Sequence, residues 1–244
     1  MSAQAPISVA SKLGRSRPLS VLCGIEPTLA SLDAAHQAVE IAGSGPLAFA
    51  SVATYAGQPL DAMYLDAAVF LARRDRGARD VRRVGGRGAV GHVLAWAARH
   101  DVLVVGAAAI PGELSALARV AIRRSPVPVL VARRLSRDDA LGDRVVVVLG
   151  DAGGDARAAG LAAALARNAG AEIAATVTDA GESAHAVLGA ARRAGATVIV
   201  IGGPATPRWR NAVDLAVTVA ERASCSVLVA RAASDPDGRR PGRE

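Results

Sequence analysis

Four kinds of residue in this 244-residue chain could do chemistry: a glycine-rich run, two strand-end acids, an arginine cluster and scattered histidines. Gly86, Gly88 and Gly91 have the spacing of a dinucleotide fingerprint, in which glycines let backbone N–H groups approach a pyrophosphate. That fingerprint belongs after a central first strand, with an acid about 20 residues on. Here the run follows the short stretch VRRV (81–84), and the next strand-like run, VLVVG (102–106), ends in glycine. Cofactor binding is therefore not the favoured reading. AGGD (152–155) lacks the leading serine and the spacing of a pyrophosphatase loop. His36, His92, His100 and His185 fall on unrelated helical stretches without paired metal-ligand spacing. None has a serine or cysteine partner in view, so the expectation is no catalytic residue, no metal and no enzyme.

RRDRGARDVRRVGGR (73–87) holds seven arginines, Arg73, Arg74, Arg76, Arg79, Arg82, Arg83 and Arg87, against two aspartates. All but one of the 29 Lys and Arg residues are arginine, Lys12 being the exception, and the net charge is +7. A solvated helix end is favoured over an anion site. Any nucleic-acid binding would then be weak and sequence-independent, because two Trp and two Tyr cannot build a long stacking platform. Trp209 between Arg208 and Arg210 could stack a base, but packing under a sheet is favoured.

The elements that would position these groups occur twice. SVLCGIE (20–26) returns as VVVVLGD (145–151), and GPLAFASV (45–52) as GAEIAATV (170–177), each about 125 residues later. DVLVVGA (101–107) returns as TVIVIGG (197–203), and SPVPVLVAR (125–133) as SCSVLVAR (224–231), only about 96–98 residues later. The second copy is therefore shorter by about 30 residues between its second strand and its next strand–helix unit. Such a length suits one helix and one strand.

Short Val/Ile/Leu runs alternate with helical patterns, which implies parallel strands covered on both faces, an α/β sheet. Leu32, Ala35, Val39 and Ala42 mark a first helix. Leu60, Met63, Ala67 and Leu71 mark a second, entered at Pro59. A last helix with Leu114, Leu117, Ala118, Ala121 and Ile122 is opened by Pro111. In the second half Ala158, Leu161 and Leu165 repeat the first helix, Val187, Leu188 and Ala191 form a crossover, and Trp209, Val213, Ala216, Val217 and Ala220 repeat the last. The first half (18–134) accommodates five strands, with VRRV as the third; the second (143–232) accommodates four. LSRDDALG (135–142) reads as a polar linker, and 1–17 and 233–244 as disordered tails. The tail MSAQAPISVASKLGRSR has no apolar core, so no signal peptide is expected. Cys23 and Cys225 lie in apolar runs of different halves, as buried thiols in a reducing cytoplasm would. An apolar final strand at a sheet edge needs a cover, so VPVLVAR and SVLVAR are expected to pair as an internal pseudo-dimer. A homodimer and an unidentified protein partner remain open, with no membrane and no specific nucleic acid.

Four features resemble the universal stress protein family, in tandem form, across both halves. They are the first strand ending in Glu26 or Asp151, the strand ending in Gly106 or Gly202, the terminal helix, and the strand SPVPVLVAR or SCSVLVAR. Ser125, Pro126 and Pro128 match the family pattern before the final strand, whereas Ser224 and Ser226 keep only small residues. The resemblance implies a flavodoxin-like, adenine-nucleotide α-hydrolase-like fold with strand order 3-2-1-4-5 and a crevice above strands one and four. Family members that bind ATP hold its phosphates on a loop with the pattern G-x2-G-x9-G-[ST], an anion cradle at a helix N-terminus. The candidate ligand residues are then Glu26, Val84, Gly106 and Gly112 in the first half, and Asp151, Gly202 and Gly203 in the second. The pattern fails in both halves. Counting from Gly106, its later positions hold Ala109, Arg119 and Val120; from Gly202 they hold Ala205, Leu215 and Ala216. Pro111, Pro204 and Pro207 remove further N–H donors. The acids Glu26 and Asp151 match the family's adenine-end position, but helix capping is the favoured role. The resemblance therefore implies a non-enzymatic stress-response binding protein without tight ATP binding and without a cofactor. The alternative is an ATP- or AMP-binding sensor with a rewired loop.

Overall fold

The strands form because runs such as VLCGI, VLVVG and VIVIG are apolar at every position, which only a sheet covered on both faces can bury. The computed structural model describes residues 18–53, 63–64, 66–67, 70, 80–85, 88–108, 110, 112–135, 139–149, 155–168, 173–178, 183–202 and 209–230. In chain order the elements are β1 (Val21–Ile25), α1 (Leu29–Ala42), β2 (Leu47–Ala53), β3 (Asp80–Gly85), α2 (Ala89–Ala97), β4 (Val102–Gly106), α3 (Ala116–Arg124) and β5 (Val129–Ala132). The second half supplies β6 (Val145–Leu149), α4 (Asp155–Asn168), β7 (Ile173–Thr178), α5 (Ala184–Ala194), β8 (Val198–Gly202), α6 (Trp209–Arg222) and β9 (Ser226–Ala230). Met63, Tyr64, Asp66, Ala67 and Phe70 are also helical, at the place of the expected second helix.

The two halves form one nine-stranded sheet, in the order β3-β2-β1-β4-β5-β9-β8-β6-β7. All neighbours are parallel except β5 and β9, which pair antiparallel at the centre. The first half thus has the strand order 3-2-1-4-5. The second keeps the same order without the third strand, so β7 is the last strand on its side among the described residues. Residues 179–182 lie outside the description, and α5 fills most of the remaining stretch before β8.

Helices α1 and α4 cover one face of the sheet, and α2, α3, α5 and α6 cover the other. Residue alternation sorts the strands accordingly: Val21, Cys23 and Ile25 face α1, whereas Leu22 faces α2 and α3. The buried stripe of α1 is Ala34, Ala35, Ala38, Ile41 and Ala42. Leu32 and Val39, expected in that stripe, are only half-buried, because the alanines bring the helix close to the sheet and leave larger side chains at the flank. Close approach is also visible at Gly106, where a Cβ would lie 2.6 Å from the Ala30 carbonyl oxygen.

One further expectation needs correction. α3 begins at Ala116 with Ser115 as its N-cap, so the helix opens beyond Pro111, which is outside the described residues. Leu114 is buried but precedes the helix. Within the stretch 135–142, Leu141 is 1% exposed, its N–H donates to the Glu40 carboxylate at 2.9 Å, and its carbonyl accepts from Thr197 Oγ1 at 2.8 Å. Residues 136–138 lie outside the described set. Cys23 and Cys225 are free and buried, and burial pushes both thiols well above their ordinary value, Cys225 to about 11.

Candidate functional site

The crevice implied by strand order lies outside the C-terminal ends of β1 and β4, where α1 and α3 diverge to opposite faces. Glu26 leaves β1 there, Gly106 ends β4, and Ser115 starts α3. The Glu26 carboxylate accepts hydrogen bonds from the Ser115 hydroxyl and from the N–H of Leu117, in the first turn of α3. Ser115 Oγ in turn accepts from the Ala118 N–H at 3.1 Å, and the Gly106 carbonyl lies 3.2 Å away as a second acceptor for its proton. A hydroxyl has one proton, and an ionised carboxylate is the stronger of the two acceptors. The Glu26 N–H donates to Ser31 Oγ at 2.9 Å, which ties the strand end to α1. Burial raises the Glu26 pKa above its ordinary 4.5, with the two hydrogen bonds offsetting part of that shift.

Capping is expected at the helix that follows β1, but Glu26 lies at a different helix. The carboxylate sits on the N-terminus of α3, not on α1, whose N-cap is Thr28. A carboxylate occupies the end of the helix dipole where an anion would be held. The last two positions of the phosphate pattern lie within helices in both halves. Arg119 and Val120 lie inside α3, and Leu215 and Ala216 inside α6. The Arg119 N–H is already bonded to the Ser115 carbonyl at 3.0 Å, and its guanidinium pairs with Glu221 at 3.2 Å.

The remaining candidates are dispersed. Gly112 has φ +86° and open space where a Cβ would go. Val84 stands in β3 opposite Val52, two strands from the crevice centre. Gly202 ends β8 opposite Ala230. Asp151 and Gly203 lie outside the described residues, as do Ala109, Pro111, Ala205, Pro204 and Pro207. Strand register nonetheless corrects the repeat. Val21 pairs with Val102 and Val145 with Val198, so Val145 is the counterpart of Val21, one residue from the offset that the sequence suggested.

The glycine fingerprint follows the edge strand β3, not a central one; Gly88 is the left-handed residue before α2, with φ +95°. Of the arginine cluster, Arg82 and Arg83 lie on β3, while Arg73, Arg74, Arg76, Arg79 and Arg87 are outside the described residues. Among the described residues no group of His, Cys, Asp or Glu could hold a metal, and no helix is long and apolar enough to cross a membrane.

One polar cluster escaped sequence reasoning. Ser226 Oγ donates to Gln37 Oε1 at 2.8 Å and accepts from the Arg133 N–H at 3.0 Å, while Gln37 Nε2 donates to the Arg133 carbonyl at 2.6 Å. The Arg133 guanidinium crosses to the other half and donates to the carbonyls of Ala220 and Glu221 at 2.7 and 3.0 Å, at the C-terminus of α6. Its Nε is buried without a partner.

A sheet with this order, doubled about an antiparallel central pair and covered by α1 and α4 on one side, defines an α/β protein with flavodoxin-like strand order in its first half and a shortened version of it in its second. Solved structures carry the same fold. A protein of unknown function from Pseudomonas aeruginosa superposes with a TM-score of 0.69 at 16% identity, covering 89% of this chain and 94% of that one. A universal stress protein from Archaeoglobus fulgidus gives 0.67 at 14% identity, covering 89% and 98%. A candidate universal stress protein from Pseudomonas aeruginosa gives 0.68 at 15%, covering 89% and 94%. No family model matches the sequence, and no curated protein matches it. The chain has the universal stress protein fold.

Proposed function

We propose that this chain is a non-enzymatic regulatory or binding protein of the universal stress type that works without tight ATP binding, through a protein partner. One observation carries the reading: the Glu26 carboxylate caps the N-terminus of α3. A nucleotide phosphate placed on that helix end would meet a carboxylate already bonded to Leu117 N–H and Ser115. Like charges at such range repel, and the displaced acid would be left buried without its donors.

Thermal scans with millimolar Mg-ATP test it. A ligand at 100 times its dissociation constant adds about 2.7 kcal/mol. For a chain of this size that is a rise of several degrees, at roughly 2–4 °C per kcal/mol. A flat scan is expected. A rise of several degrees would instead establish the second reading, an ATP- or AMP-binding sensor, for which exposed Gly112 with its positive φ supplies a loop able to rewrap.

A further inference from the structure

A cavity of about 290 Å³ opens between the C-terminal ends of α5 and α6, lined on its apolar side by Leu188, Ala191, Ile199 and Cys225. Arg192 and Arg222 stand at it with exposed side chains, Ser224 adds a hydroxyl, and no acidic residue lines it. It lies at the N-terminal ends of β8 and β9, whereas the nucleotide crevice of this fold lies at C-terminal strand ends.

The internal repeat explains why the space is empty. Val102 and Val198 are counterparts in their sheets, which makes His100 the counterpart of Ala196, Leu103 that of Ile199 and, by the final strands, Val127 that of Cys225. In the first half this corner holds two rings: Trp96 on α2 meets His100 edge-on, with centroids 5.8 Å apart at 71°. His100 is fastened by its Nδ1 to Ser20 Oγ at 2.9 Å. The second half has Ala196 in place of that imidazole and Arg192 in place of the indole, and both line the cavity. The same scaffold therefore encloses ring-sized room that its own side chains do not fill.

We propose that this cavity binds a small flat aromatic carboxylate, its ring in the place that the His100 imidazole takes in the first half and its carboxylate on Arg192, the counterpart of Trp96, and on Arg222. The ring would be walled by apolar side chains and by a protonated, uncharged thiol. Two guanidinium groups without an acid among the lining residues favour an anion over its neutral amide. The volume is near the lower end of ligand pockets, which suits a single ring with a short acidic arm.

The probe is cinnamate, with cinnamamide as its neutral control, titrated into the full chain by calorimetry and by NMR shifts of the Ala196 and Cys225 amides. Cinnamate is expected to bind at millimolar concentrations or below, at least about tenfold tighter than cinnamamide, as expected for charge-assisted contacts. Arg192→Ala with Arg222→Ala changes exposed side chains, and should erase the preference for the acid while the melting temperature holds. Ala196→His should abolish binding of both probes by restoring the imidazole of the first half; if that variant does not fold, the arginine pair decides. Absence of binding to the wild-type protein, equal binding of acid and amide, or a preference that survives the arginine pair would overturn the proposal. In those cases the arginines serve only the C-termini of α5 and α6.

Discussion

Leu130 of β5 lies directly opposite Leu228 of β9, which is its own counterpart in the repeat. Val129 then faces Val229 and Val131 faces Val227, so a local two-fold axis passes between the two leucines. The chain covers its own aggregation-prone final strand with the copy of that strand. Ion pairs between α3 and α6, Arg119 with Glu221 at 3.2 Å and Arg123 with Asp214 at 3.9 Å, flank the seam, but exposed pairs of this kind contribute about 0–1 kcal/mol each. Apolar burial at the seam dominates.

Leu130 and Leu228 are 0% and 1% exposed. Leu130→Ala should therefore cost about 2–5 kcal/mol, and Leu228→Ala the same. The double variant should fall short of the sum of the two, because the leucines touch one shared space. Urea unfolding of the four proteins measures this, and strict additivity would show that the seam is not one packed unit.

Ser226→Ala removes the hydroxyl that joins Gln37 to the Arg133 N–H, leaving both groups buried without that partner. A loss of about 1–3 kcal/mol follows. Gln37→Leu combined with Ser226→Ala should add to the loss, since it also removes the Gln37 Nε2 bond to the Arg133 carbonyl. Calorimetric melting of the three proteins provides the check.

Gly106→Ala places a methyl group 2.6 Å from the Ala30 carbonyl oxygen and 2.9 Å from the Ser31 nitrogen. Backbone cannot yield as a flexible side chain does, so a cost of about 1–3 kcal/mol is expected, and more for Gly106→Val. A melting temperature unchanged in Gly106→Ala would mean that α1 stands further from β4. It also follows that loss of ligand binding in a Gly106 variant reports on folding before it reports on a phosphate loop.

Burial raises the pKa of Glu26 and Asp33 above 4.5 and 3.8, and that of Glu40 above 4.5. The folded state therefore holds protons that the unfolded state has released, and stability falls as pH rises from those ordinary values through the raised ones. Glu26→Gln cannot ionise, so its stability relative to wild type should improve as pH rises across that window. Chemical denaturation from pH 4 to pH 8 measures the difference in slope. A parallel pH course for the two proteins would place Glu26 in solvent.

The repeat, the alternation of strands and helices and the loss of one strand–helix unit were all legible in the sequence, because each depends on residues near one another along the chain. Five apolar positions in a row, as in VLVVG, require cover on both faces wherever they stand. The apolar character of the final strands also indicated that they need a partner, and the structure pairs them. Register was beyond the sequence: valine-rich strands such as VVVVL look alike when shifted by one residue, and only pairing across the sheet equates Val145 with Val21. Tertiary structure alone decided the rest. Glu26 meets α3 across about 90 residues of chain, and Ser226 meets Gln37 across 189, so no local pattern could announce either contact. The cavity beside Cys225 is likewise a property of two helix ends meeting, with Ala196 where the other copy has His100.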